Sequence, residues 1–132
     1  MSVFGGLGLQ PKQAIAKRLV DAEKSNAVWQ RALAVSNEKI GDLLVTQGKL
    51  NEALDVYQQS LKIRQTLVDQ HKSNVGWQLD LLVGYAKVGD VLSTQENLPE
   101  ALEAYQQELA IAERLADQDK SNVDWQRNSL IE

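Results

Sequence analysis

A period of 48 residues constrains this chain more than any other feature. Lys24-Ser25-Asn26-x-x-Trp29-Gln30 recurs as Lys72-Ser73-Asn74-x-x-Trp77-Gln78 and as Lys120-Ser121-Asn122-x-x-Trp125-Gln126. Residues 24–71 and 72–119 align without a gap and are identical at 25 of 48 positions. Self-similarity at such a spacing means that one supersecondary unit is stacked on copies of itself, each burying a face that it cannot bury alone. The match also reaches backward, since Ile15 to Asp21 follow the pattern of Ile63 to Asp69 and Ile111 to Asp117. We therefore expect a flexible leader at 1–11 and one domain at 12–132, with full repeats at 24–71 and 72–119 and a partial repeat at either end.

Apolar spacing divides each unit into two amphipathic helices. Trp29, Leu33, Ser36, Ile40, Leu43 and Leu44 share one face of the first. Leu50, Ala53, Leu54, Tyr57, Leu61, Leu67 and Val68 share one face of the second. Asn26, Asn74 and Asn122, each after a Ser, suit N-caps, because a short side-chain oxygen can accept the free N–H groups of a first turn. Gly48 suits the left-handed residue that closes a helix, with Asn97 taking that part in the second copy and Pro99 opening the next helix. The pattern predicts helices near 13–24, 26–47, 51–71, 74–95, 99–119 and 122–132. With connections of only two to five residues, consecutive helices must run antiparallel. The fold expected is all-α, a solenoid of antiparallel helical hairpins.

Ile40-Gly41, Leu44, Gly48, Leu50, Glu52-Ala53-Leu54, Tyr57 and Leu61 resemble the tetratricopeptide repeat. So do Val88-Gly89, Leu92, Leu98, Glu100-Ala101-Leu102, Tyr105 and Leu109. Gly41 and Gly89 would let the helices of a hairpin approach closely, and Ala53 and Ala101 would do so from the other side. The unit here exceeds the family's usual 34 residues, so both helices are longer, and the sequence is similar to the bacterial arrays of long repeats. The resemblance implies a noncatalytic protein-interaction scaffold.

What the residues exclude agrees with that implication. There is no Cys, which removes thiolate metal sites and cysteine nucleophiles, and the single His71 has no second His near enough to complete a metal site. No Ser stands in a nucleophile-elbow context, and neither phosphate-binding glycine motif occurs. We expect no enzyme, cofactor or metal. A net charge of −4 without a Lys/Arg cluster argues against nucleic acid and anionic membrane. Met1 to Leu9 lack the basic start of a signal peptide and no run could span a bilayer, so a cytoplasmic protein is expected.

Trp29, Trp77 and Trp125 lie on the apolar stripe and are expected to pack between repeats. Tyr57 and Tyr105 should behave likewise, with hydroxyls that reach a neighbouring helix. Tyr85 replaces Asn37 and is the better candidate for a ligand face. The resemblance implies that first helices line a concave groove holding an extended peptide or partner helix. That groove would display Val35, Glu38, Asp42, Val45 and Thr46 from one repeat, and Val83, Ala86, Asp90, Ser93 and Thr94 from the next. Asp42 and Asp90 match in position, so the groove would prefer a basic or neutral segment, unless they merely pair with Lys39 and Lys87 on a solvated face.

The ends offer an alternative function. The first helix predicted is of the second type and the last is half of the first type, and both are apolar: Ile15, Leu19 and Val20 at one end, Trp125, Leu130 and Ile131 at the other. These residues would support head-to-tail or swapped self-association into a homo-oligomer.

Overall fold

The computed structural model describes residues 11–119. They form four helices in series: α1 (Pro11–Thr46), α2 (Leu50–Gln70), α3 (Val75–Thr94) and α4 (Leu98–Gln118). Each packs on its predecessor, α1 with α2, α2 with α3 and α3 with α4. Connections of three or four residues leave no other arrangement. The described residues are thus an all-α stack of hairpins without a strand, as the periodicity predicts.

The turns follow from identifiable residues. Gly48 adopts φ 77°, so that its N–H reaches the Val45 carbonyl and the Lys49 N–H reaches that of Leu44, closing α1. In the second repeat the left-handed residue is Glu96, at φ 63°, and not Asn97 as expected. The same two hydrogen bonds, Glu96 N–H to Ser93 and Asn97 N–H to Leu92, fix the left-handed position 48 residues after Gly48 whatever occupies it. Asn97 instead precedes the first turn of α4, with Pro99 inside that turn. Asn74 caps α3 as expected, its Oδ1 accepting the Trp77 N–H at 3.0 Å.

One boundary is corrected. The helices expected at 13–24 and 26–47 are a single helix of 36 residues, about 54 Å long at 1.5 Å per residue. Asn26 therefore lies inside a helix and caps nothing. Lys24-Ser25-Asn26 matches Lys72-Ser73-Asn74, but its surroundings differ: Ala22, Glu23, Ala27 and Val28 stand where the second repeat has Gln70, His71, Val75 and Gly76. Ala and Glu favour helix and Gly76 does not, so the cap motif alone cannot break α1. Trp29 is affected as well. Trp77 is half-buried between α2 and α3, whereas Trp29, expected to pack between repeats, is 75% exposed because no other helix of the described residues folds back over it. Asn122, Trp125 and the helix expected at 122–132 lie outside the described residues.

The core is built at the hairpin contacts and between α2 and α3. Ala53, Tyr57, Val88, Val91, Leu92, Ala101 and Ala104 form one cluster, and Val68, Leu81 and Ile111 another. The expectation for the small residues holds: a Cβ at Gly41 would come within 2.4 Å of the Tyr57 ring, and one at Gly89 within 2.6 Å of the Tyr105 ring. Glycine at both positions is what lets each tyrosine lie flat against the facing helix. Tyr85 is half-buried against the second cluster, its hydroxyl 3.5 Å from Gln65 Oε1. His71 is exposed at the end of α2, edge-on to the Trp77 ring at 4.7 Å between centroids.

Candidate functional site

The first helices of the two repeats, α1 and α3, lie on one side of the stack and bound a cleft of about 240 Å³. Asp42, Val45, Asp90 and Thr94 of the expected groove residues line it, together with Leu50, Tyr57, Lys87 and Val91. Its walls alternate carboxylate and aliphatic groups because α1 and α3 each present every third or fourth residue to it.

Both carboxylates are held by tyrosines from the second helix of their own hairpin. Tyr57 donates its hydroxyl to Asp42 Oδ1 at 2.5 Å, and Tyr105 donates to Asp90 Oδ1 at 2.6 Å. Asp42 has a further partner: Lys87 Nζ donates to the same Oδ1 at 2.7 Å and lies 5.6 Å from the centre of the Tyr57 ring. Lys87 thus crosses from one repeat to the previous one and does not pair with Asp90 on its own helix. Burial pushes the Asp42 carboxyl up, but the hydrogen bonds from Lys87 and Tyr57 and the charge of Lys87 outweigh it, leaving the pKa below the ordinary 3.8. Burial, the Asp42 hydrogen bond and the charges of Asp42, Glu38 and Asp90 all push the Tyr57 hydroxyl well above its ordinary 10.0. Two of those carboxylates, Asp42 and Asp90, line the cleft. Tyr105 is raised too, chiefly by its hydrogen bond to Asp90.

The remaining expected groove residues are dispersed. Glu38 is turned between α1 and α2, where Arg64 donates Nε to its Oε1 at 2.8 Å and Nη2 to its Oε2 at 3.0 Å. Arg64 also reaches Asp80 on α3 at 3.1 Å, and Arg31 approaches the same Asp80 oxygen at 3.6 Å. Ser60 completes the cluster by donating to the Ala34 carbonyl at 3.0 Å and to Glu38 Oε1 at 3.2 Å. Arg64 therefore ties three helices together. Val35 and Ala86 are half-buried, while Thr46, Val83 and Ser93 are exposed outside the cleft. Thr46 and Thr94 donate to the carbonyls of Asp42 and Asp90 on their own helices.

The cleft residues missed by sequence reasoning are Leu50, Tyr57, Lys87 and Val91. Tyr57 could have been found from its match to Tyr105, but the reach of Lys87 to Asp42 depends on the stacking register, which no spacing within one repeat encodes. Of the expected self-association residues, Ile15 is exposed on α1 and Leu19 and Val20 fall within that helix. Trp125, Leu130 and Ile131 lie outside the described residues. Among the described residues, no group of three or more His, Cys, Asp and Glu side chains could hold a metal ion, and no helix is long and apolar enough to cross a membrane.

A family model for the tetratricopeptide repeat matches residues 38–71, from the last quarter of α1 to just past the end of α2. Comparison with curated proteins and with solved structures gave no match. The matched unit contains Gly41, Gly48, Ala53 and Tyr57, and the 48-residue period carries the same framework to 86–119 as Gly89, Glu96, Ala101 and Tyr105. With its hairpins packed in series around these residues, the chain carries a tetratricopeptide repeat at 38–71, and 86–119 repeats its framework.

Proposed function

We propose that this protein is a noncatalytic scaffold whose groove between α1 and α3 takes an extended peptide or a partner helix with basic or neutral side chains. A tetratricopeptide repeat is a protein-interaction module, and the chemistry of this groove supports a narrower class of partner. The observation that carries it is the placement of Asp42 and Asp90 on one cleft among Val45, Leu50 and Val91. Asp42 is already engaged by Lys87, so Asp90 has the greater remaining capacity for a Lys or Arg of the partner. Charged groups at such a rim contribute more to selectivity and association rate than to affinity, while the aliphatic floor supplies the burial.

The test is binding of matched basic, neutral and acidic peptide sets to the wild type, Asp42→Asn and Asp90→Asn. Basic peptides should bind the wild type most tightly, with the larger loss in Asp90→Asn and a salt dependence that this variant reduces. Equal binding of basic and acidic sets, or indifference to both substitutions, overturns the groove assignment.

A further inference from the structure

The contact between α2 and α3 is a template for a second contact that the described residues leave unmade. Trp77, Leu81, Val88 and Val91 of α3 are the residues that dock on α2. Shifted by 48, they become Trp29, Leu33, Ile40 and Leu43 of α1. Leu81 is 2% exposed and Leu33 55%; Val91 is 3% exposed and Leu43 65%. On the other side, Leu50, Leu54 and Leu61 of α2 receive α3 and are half-buried. Their counterparts Leu98, Leu102 and Leu109 of α4 are exposed. The outer face of α1 is thus a copy of the face that α3 presents, and the outer face of α4 is a copy of the face that receives it.

The charges repeat with the same period. Asp42 and Tyr57 form a seat that Lys87 fills. Asp90 and Tyr105 form the same seat, and among the described residues no cation lies within ion-pair distance of Asp90. The residue 48 before Lys87 is Lys39, exposed on α1. If α1 of one molecule docks on α4 of another as α3 docks on α2, Lys39 arrives at Asp90. The buried polar bridge of the template needs no counterpart, because Arg64 and Asp80 are replaced at the junction by Ala112 and Ala32, and no charge is stranded there. One contact is lost. The hydrogen bond from Gln95 to Asn51 becomes Gln47 opposite Pro99, so the junction should be weaker than the internal contact.

We propose that the outer faces of α1 and α4 are complementary docking surfaces through which a second copy of this chain stacks head to tail, with Lys39 of one copy seated on Asp90 and Tyr105 of the other. The contact joins two different surfaces, so each copy keeps one face free for a further copy and association extends beyond a dimer. It does not rest on the groove assignment, since Leu33 and Leu109 lie outside the cleft.

Light scattering behind a sizing column, over a wide concentration range, compares the wild type with Leu33→Asp, Leu109→Asp and an equimolar mixture of the two. Both leucines are more than half exposed, and thermal melts verify that the variants fold. The wild-type mass should rise above 14.7 kDa with concentration. Each variant alone should stay at that mass, and the mixture should stop at twice it, because Leu33→Asp keeps an intact α4 and Leu109→Asp an intact α1. Lys39→Glu and Asp90→Lys should each weaken association about tenfold, with recovery when both are in one chain. A wild type that stays monomeric throughout overturns the proposal; so does association that survives both leucine variants. Leucine variants that block while Lys39→Glu does nothing also overturn it, since the faces would then meet in another register. A monomeric wild type whose Leu109→Asp variant melts at lower temperature would place residues 122–132 of the same chain on α4.

Discussion

Lys87 on α3 donates its ammonium to Asp42 on α1 at 2.7 Å, although Asp90 lies three residues away on its own helix. Beside Asp42, Lys87 also gains the face of the Tyr57 ring, which attracts a cation through its quadrupole. The ion pair is half-exposed and contributes at most about 1 kcal/mol. Its importance is positional, since it links the first helices of successive repeats across the cleft that both residues line.

Tyr57 makes this seat sensitive to base. Its pKa is raised in the folded chain, so the unfolded chain loses the phenolic proton first. Its contribution to stability is fully present below pH 10 and is lost as pH rises from there toward the folded pKa. Tyr85 and Tyr105 are raised in the same direction and add to the effect. Denaturant midpoints should therefore fall above pH 10, and Tyr57→Phe should flatten the fall. Phenolate absorbance in the native chain should lag behind that of the urea-unfolded chain. Midpoints equally steep in Tyr57→Phe would assign the alkaline loss to other groups.

The Glu38–Arg64 pair tests a different balance. Arg64 has a side chain only 5% exposed and bonds Glu38 through two nitrogens and Asp80 through a third. Removing Glu38 takes two charge-assisted hydrogen bonds from the buried Arg64 and leaves it Asp80 alone, so Glu38→Ala should cost about 1.5–3 kcal/mol in chemical denaturation. Glu38→Ala with Arg64→Leu should recover part of that loss, because the buried cation is removed together with its partner. The second repeat already carries the apolar solution, Ala86 and Ala112, at the matching positions. A double variant as unstable as the single would mean that the pair holds α1, α2 and α3 in place in a way that packing cannot replace.

Most of the repeat framework was legible because small and aromatic residues recur with the period. Gly41 with Tyr57, Gly89 with Tyr105, the Asn74 cap and the Gly48 turn all follow from local chemistry that a sequence displays. The continuity of α1 was not legible, since Lys24-Ser25-Asn26 carries the same cap motif as the junction that does turn. Helix propensity over 22–28 decides between them, and the motif is silent on it. Among the expected groove residues, Asp42 and Asp90 line the cleft, whereas Glu38, which looked equivalent to them in the sequence, does not. Its partner Arg64 is 26 residues away, and the matching positions in the second repeat are alanines, so the period gave no signal of the pair.

Glu96 gives the last prediction. It occupies the left-handed position that Gly48 fills in the first repeat, with φ 63° where a side chain crowds its own backbone. For a residue with a Cβ this conformation costs roughly 1–2 kcal/mol relative to glycine. Glycine in turn loses more backbone freedom on folding, which returns part of that difference. Glu96→Gly should therefore raise stability by about 0.5–1 kcal/mol. Gly48→Ala should lower it by a similar amount for the mirrored reason, even though no atom lies within 4 Å of where its Cβ would be. Paired denaturant melts of the two variants decide the matter. Opposite shifts would show that the turns share one conformational cost, whereas a destabilised Glu96→Gly would mean that the Glu96 side chain makes a contribution larger than its backbone strain.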